Sequence, residues 1–247
     1  MSEDHPVQRP IPPQALAGLI SEAQNTLHFM AEMGCKGFDF SKEGMEVFGH
    51  LGKKRARPRT VRDSLEGIRA DMGDCRRCGL HAGRGTIVFG SGNPAARLLF
   101  VGEGPGYDED RIGQPFVGAA GQLLDKIIQA IRMTRGSVYI CYVVKCRLPN
   151  DRRPEPGEIQ ACAPFLERQI ACVQPEFICA LGAAAAQTLL QTTTLISDLR
   201  GRFYDYKGIR LIPTYHPAYL LRSPDKKKEV WEDMKMLMRE MGHETGA

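Results

Sequence analysis

A three-layer α/β/α fold built on a parallel sheet is what this 247-residue chain predicts. Two observations lead there. From about residue 61 onward, short apolar runs rich in β-branched residues alternate with stretches of helical periodicity, the pattern of strands joined by helical crossovers. Each apolar run also ends at a loop carrying glycine, an aromatic residue or histidine, which is where open α/β sheets place their ligands.

The elements follow in order. Residues 1–62 mix prolines, glycines, a predicted helix at 13–33 and a basic run, Lys53-Lys54-Arg55-Ala56-Arg57-Pro58-Arg59, and read as an appendage or linker. Strands are predicted at 97–101, 138–144, 177–181 and 210–214. Helices are predicted at 121–132, 156–173, 183–190 and 225–241, the last with Val230, Met234, Leu237 and Met238 at helical spacing. Right-handed crossovers then wrap helices over both sheet faces.

Composition narrows the function. With 43% apolar and 25% charged residues the chain can bury a full core, and it has no apolar stretch of membrane-spanning length. The polar, proline-rich start lacks the features of a signal peptide, so a cytoplasmic location is expected. A net charge of +4 permits a polyanionic partner without requiring one. Its placement matters more, since residues 53–59 and Lys226-Lys227-Lys228 could each follow a phosphate backbone or serve as a solvated face.

Eight cysteines in a chain expected in a reducing compartment point away from disulfides. Cys75 and Cys78 form a C-x-x-C pair ahead of the first strand, with Cys146 after the second strand and Cys162 in the next helix. Two close ligands and two distant ones make a set of four thiolates, suited to zinc or an iron–sulfur cluster, and spacing does not separate the two. Cys35, Cys141, Cys172 and Cys179 read as small buried hydrophobes.

Three loops carry the remaining signals. Loop 102–110 (GEGPGYDED) lets backbone amides approach a ligand but lacks the lysine and hydroxyl of a P-loop. Segment 113–124 (GQPFVGAAGQLL) holds Phe116 just before a helix, where it could stack on a base or fill the core. Segment 215–224 (YHPAYLLRSP) places His216 at a strand end.

Together, GEGPG at 102–106, PFVGAAGQLL at 115–124, VVKCR at 143–147 and HPAYLLR at 216–222, with the four cysteines, resemble the family-four uracil-DNA glycosylases, the iron–sulfur branch of their superfamily. The resemblance runs from about Asp74 to Met238. It implies a central sheet of four parallel strands within a glycosylase-like domain at 63–247. The implied activity is a monofunctional DNA glycosylase of base-excision repair, which flips a deaminated base, uracil first, out of DNA and hydrolyses its N-glycosidic bond.

The resemblance also implies a structural [4Fe–4S] cluster on Cys75, Cys78, Cys146 and Cys162, with zinc as the alternative. It assigns His216 as donor to the departing base and Glu103 as the acid that positions water or else braces its loop. Superfamily members with an aspartate in the first loop differ here, because that position is Gly104. Gly102, Gly104, Gly106, Phe116 and Tyr142 are the implied base-binding set. Asp151, Leu220, Leu221, Arg222 and Ser223 are the implied DNA contacts, with the two leucines as wedge. The expected partner is damaged DNA, single- or double-stranded, met by a monomer without a membrane.

Two positions depart from the family pattern. Tyr142 stands where an asparagine reads the edge of uracil, and Asp151 stands where another asparagine lies near the scissile nucleotide. A phenol has one hydroxyl in place of a paired donor and acceptor. Uracil excision with altered recognition, excision of another damaged base such as hypoxanthine or xanthine, and lesion binding without cleavage therefore remain open from sequence.

Overall fold

The structure, a computed structural model, describes residues 63–242; the predicted appendage at 1–62, with its helix and basic run, lies outside them. The described residues form a six-stranded sheet with helices on both faces. In chain order come α1 (Leu65–Met72), β1 (Ser91–Gly92), β2 (Leu98–Gly102), α2 (Tyr107–Ile112), α3 (Ala119–Ala130), β3 (Tyr139–Tyr142) and α4 (Pro156–Val173). Then follow β4 (Phe177–Leu181), α5 (Ala183–Leu190), α6 (Ile196–Leu199), β5 (Tyr204–Tyr206), β6 (Ile209–Thr214), α7 (Pro217–Arg222) and α8 (Lys227–Glu240).

The strand order is β1-β3-β2-β4-β6-β5. The four predicted strands, β3-β2-β4-β6, pair in parallel at the centre, and every residue of β2, β3 and β4 is buried. Strands covered on both faces have no polar side to alternate with, hence their continuous apolar runs. Two strands were not predicted. β1 and β5 pair antiparallel at the edges and are two and three residues long, too short for any periodic signal. β5 turns into β6 through Lys207 and Gly208, both at positive φ (53° and 86°), as a tight hairpin requires.

Alternate strand residues feed two cores. Phe100, Ile140, Cys179 and Ile212 pack with Leu124 and Ile128 of α3 and Val230, Met234 and Leu237 of α8. Leu99, Cys141, Ile178 and Leu211 pack with Leu166 and Ile170 of α4 and Ala185 and Leu189 of α5. The burial of Cys141 and Cys179 agrees with their reading as small hydrophobes.

A buried polar network holds the end of β6. Arg200, after α6, grips Asp233 of α8 through Nε and Nη2 at 3.0 and 2.8 Å, and the Thr214 hydroxyl donates to the same carboxylate at 2.6 Å. Asp233 is fully buried; burial raises its pKa, and Arg200 and Thr214 oppose that shift by satisfying its oxygens. The parallel strands end together at Gly102, Tyr142, Leu181 and Thr214, and the loops that follow converge on one edge of the sheet.

Candidate active site

A cleft of about 360 Å³ opens at that edge. Its walls include Glu103, Gly104 and Gly106 from the loop after β2, Phe116, Tyr142 at the end of β3, Asp151, His216 and Arg222. Residues drawn from four separate loops are thus brought to one cavity. A larger open groove between α4 and α5, about 1110 Å³, gathers no comparable set of reactive groups.

Backbone geometry sets the aromatic wall. Gly102 pairs directly with Tyr142 in the parallel register, and a Cβ at 102 would lie 2.8 Å from both the Phe116 and Tyr142 rings. Phe116 sits at φ 51°, a left-handed conformation that costs a non-glycine residue about 1 kcal/mol or more. The surroundings impose it: Gly121 leaves room for the Phe116 carbonyl, and Arg135 donates to the Pro115 carbonyl. The Phe116 and Tyr142 rings stack with centroids 5.0 Å apart, and the Phe116 N–H donates to the Tyr142 hydroxyl at 2.9 Å. The His216 ring lies 5.6 Å from Phe116.

His216 caps α7, a helix where the sequence predicts a loop; Pro217 at the first helical position starts it. Its Nδ1 accepts from the Ala218 N–H at 3.1 Å, while Nε2 is buried without a partner among the described residues. Burial, with Arg222 adding to it, pushes the imidazole down to about 4. A neutral ring that accepts at Nδ1 must carry its proton on Nε2, so His216 presents one unspent donor.

Two glutamates that follow β2, Glu103 in the loop and Glu109 in α2, divide the labour. Glu109 accepts from the amides of Gly106 (3.1 Å), Val117 (2.9 Å) and Gly118 (3.1 Å), tying the loop after β2 to the segment carrying Phe116. Sequence reading had no reason to single it out, because an acid in a polar loop looks solvated. Glu103 makes no side-chain hydrogen bond among the described residues, and burial raises its pKa against the opposing pull of Arg153. The bracing role weighed for Glu103 belongs to Glu109.

The four predicted cysteines line one small cavity beside β3, with Arg77, Arg84 and Lys145. Arg84 donates to Cys146 Sγ at 3.4 Å and Arg77 to Cys75 Sγ at 3.6 Å. Among the described residues, no three metal-binding side chains converge closely enough to hold a single ion.

The sequence model of the Uracil DNA glycosylase superfamily matches residues 89–235. A type-4 uracil-DNA glycosylase of Thermotoga maritima is 43% identical over 179 residues, covering 71% of this chain and 93% of that protein. Another, of Archaeoglobus fulgidus, is 41% identical over 184 residues, 71% of this chain and 92% of its own. The chain belongs to the uracil-DNA glycosylase superfamily. Within the superfamily it sides with the type-4 members, since a type-5 uracil-DNA glycosylase of Pyrobaculum aerophilum is 28% identical over 146 residues, 52% of this chain and 64% of that protein.

For this superfamily member, the predicted DNA contacts divide by exposure. Leu220 is 1% exposed and packs in the core of the α3 face, so it offers no surface to DNA, whereas Leu221 is 46% exposed. Successive helix residues point about 100° apart, and α7 turns one leucine inward and the other outward. Arg222 is exposed, Ser223 half-buried, and Asp151 exposed at φ 51° on the turn Pro149–Asp151. Of the basic run at the start of α8, Lys226, just before the helix, is paired with Glu229 at 2.6 Å while Lys227 and Lys228 are exposed. No helix among the described residues is long and apolar enough to cross a membrane.

Proposed function

We propose that the protein excises uracil from DNA by hydrolysing the N-glycosidic bond and leaves an abasic site for base-excision repair. The observation that carries this reading is the unpartnered Nε2–H of a neutral His216 in a cleft shared with Glu103 and Phe116. The type-4 relatives, named for uracil-DNA glycosylase activity, support it.

A base within a duplex is out of reach, so the nucleotide must be extruded, at about a few kcal/mol. Leu221 is the exposed wedge, with Arg222, Ser223 and Asp151 meeting the strand beside the flipped nucleotide. Phe116 stacks on the base. As the bond breaks, negative charge grows on the base, and His216 donates through Nε2 to a base carbonyl oxygen; amides of the 102–106 loop add to this field. Glu103, desolvated and without another partner, positions the attacking water and takes its proton. The enzyme acts as a monomer on chromosomal DNA in the cytoplasm, single- or double-stranded.

Cys75, Cys78, Cys146 and Cys162 hold a [4Fe–4S] cluster in this reading. Their fit rests on two features: a shared cavity and arginine donors on two of the sulfurs. A cluster there ties the segment before β1 to β3 and α4. Lys145, 1% exposed beside these thiols, supplies positive charge to offset them.

The test is single-turnover release of uracil from an oligonucleotide, with brown, iron-containing protein. His216→Gln should slow release by about 10²–10³-fold. Absence of uracil release from any DNA by the iron-loaded protein would defeat the proposal.

A further inference from the structure

The place where a flipped base would stack is already taken. The Tyr142 ring lies on Phe116 at 5.0 Å and 27°, its hydroxyl accepts the Phe116 N–H at 2.9 Å, and both residues are 2% exposed. An aromatic ring stacked on phenylalanine, with an oxygen accepting a backbone N–H at its edge, reproduces the way a carbonyl-bearing base would be held there. We propose that Tyr142 is an internal gate, its phenol standing in for the base in the free enzyme and leaving the Phe116 face before a flipped base can enter. This rests on the uracil-excision reading above.

The surroundings suit a ring that moves on a backbone that does not. Lys145 Nζ donates to the Tyr142 carbonyl at 2.6 Å, and the next two residues stay paired, Val143 N–H to Gly102 O at 2.9 Å and Val144 N–H to Glu103 O at 3.1 Å. Gly102 supplies the space that lets the two rings meet, and the adjoining cleft of about 360 Å³ gives the phenol somewhere to go. The hydroxyl is held by one hydrogen bond to a neutral donor. Losing that bond and one stacked pair lowers apparent base affinity by about five- to 150-fold relative to an open pocket, and the core contacts of the buried ring add to this cost. The gate is therefore a specificity element, because a base must outcompete a built-in aromatic before chemistry begins.

Two variants separate this gate from a tyrosine that reads the base. Tyr142→Phe keeps the ring and loses the anchoring bond; Tyr142→Ala removes the ring. Rates of uracil release from single-stranded DNA and affinity for DNA carrying a cleavage-resistant 2′-fluoroarabino-uridine are measured for both and for the unaltered chain. A gate gives Phe a roughly two- to tenfold gain in kcat/KM and in affinity, and Ala a larger gain. Should Ala fold poorly, the Phe result decides. If the unaltered chain releases uracil and Tyr142→Phe is slower or unchanged, the gate is overturned while uracil excision stands. If none of the three proteins releases uracil or prefers the fluorinated DNA, both readings fall together.

Discussion

Replacing His216 by glutamine should flatten the acid dependence of stability as well as slow catalysis. The imidazole titrates at 6.5 in an unfolded chain, and burial pushes it down to about 4 in the folded one. Between those values the unfolded state binds a proton that the native state refuses, so native stability is fully present above about pH 7 and declines as pH falls toward 4. The whole gap amounts to roughly 3 kcal/mol, of which about 2.5 kcal/mol is spent by pH 4.5. Urea unfolding at pH 7.5 and 4.5, run on the unaltered chain and on His216→Gln, isolates this contribution, because acid effects on other groups and on the cysteine site are common to both. The unaltered chain should lose about 2–3 kcal/mol more than the variant across that interval. Equal losses, or an imidazole that titrates near 6.5 by NMR in the native protein, would refute the burial-depressed titration of His216 from which this prediction is worked.

Other outcomes follow from the same contacts. Glu103→Gln should reduce release by about 10²–10⁴-fold and abolish an acidic limb set by the raised carboxylate pKa; a variant retaining both rate and limb assigns water activation elsewhere. Asp233→Ala strips Arg200, 16% exposed at its side chain, of its buried partner and should cost about 3–5 kcal/mol in denaturant unfolding, whereas a change below about 1 kcal/mol would show that Glu229 suffices to hold Arg200 without it. Leu220→Ala should destabilise by about 2–5 kcal/mol, while Leu221→Ala should leave stability within about 0.5 kcal/mol and weaken base flipping. The reverse pattern in thermal melts and 2-aminopurine fluorescence would place the wedge on Leu220.

The central strands were legible because burial on both faces leaves a continuous apolar run, and the cleft was legible because each run ends in loop chemistry. What escaped has physical reasons. β1 and β5 are shorter than any period. α7 hides behind Pro217, which reads as a breaker although it is well suited to a first helical turn. Leu220 and Leu221 are chemically identical, and only the phase of that unforeseen helix decides which one faces solvent. Glu109 and the Arg200–Asp233 pair look like surface charge until distant amides and elements close around them. Tyr142 was recognised as a departure in sequence, but its bond to the Phe116 N–H depends on the Gly102–Tyr142 register and on a left-handed Phe116, neither of which is written locally.

The contacts around the cleft fall into a pattern with a mechanistic consequence. Phe116 is fixed through its neighbours by Glu109, Arg135 and Gly121; His216 is fixed through Ala218 and, two residues upstream, through Thr214 on Asp233; the Tyr142 backbone is fixed by Lys145. Gly182, at φ 87°, completes the fit, since a Cβ there would come within 2.9 Å of the His216 Cβ. On the proposed mechanism, the groups that meet developing charge are thus held before the reaction, as electrostatic catalysis requires. The Tyr142 ring, although buried in the core on the α3 face, differs from them in that its stack on Phe116 and its one neutral hydrogen bond are contacts a base can itself replace. Substitution at 142 can therefore alter which bases enter, and how readily, while the donor at His216 and the carboxylate at Glu103 keep their positions. On the proposed gate, that separation of entry from chemistry lets a type-4 framework replace the family asparagine at 142 while His216 and Glu103 stay in the cleft.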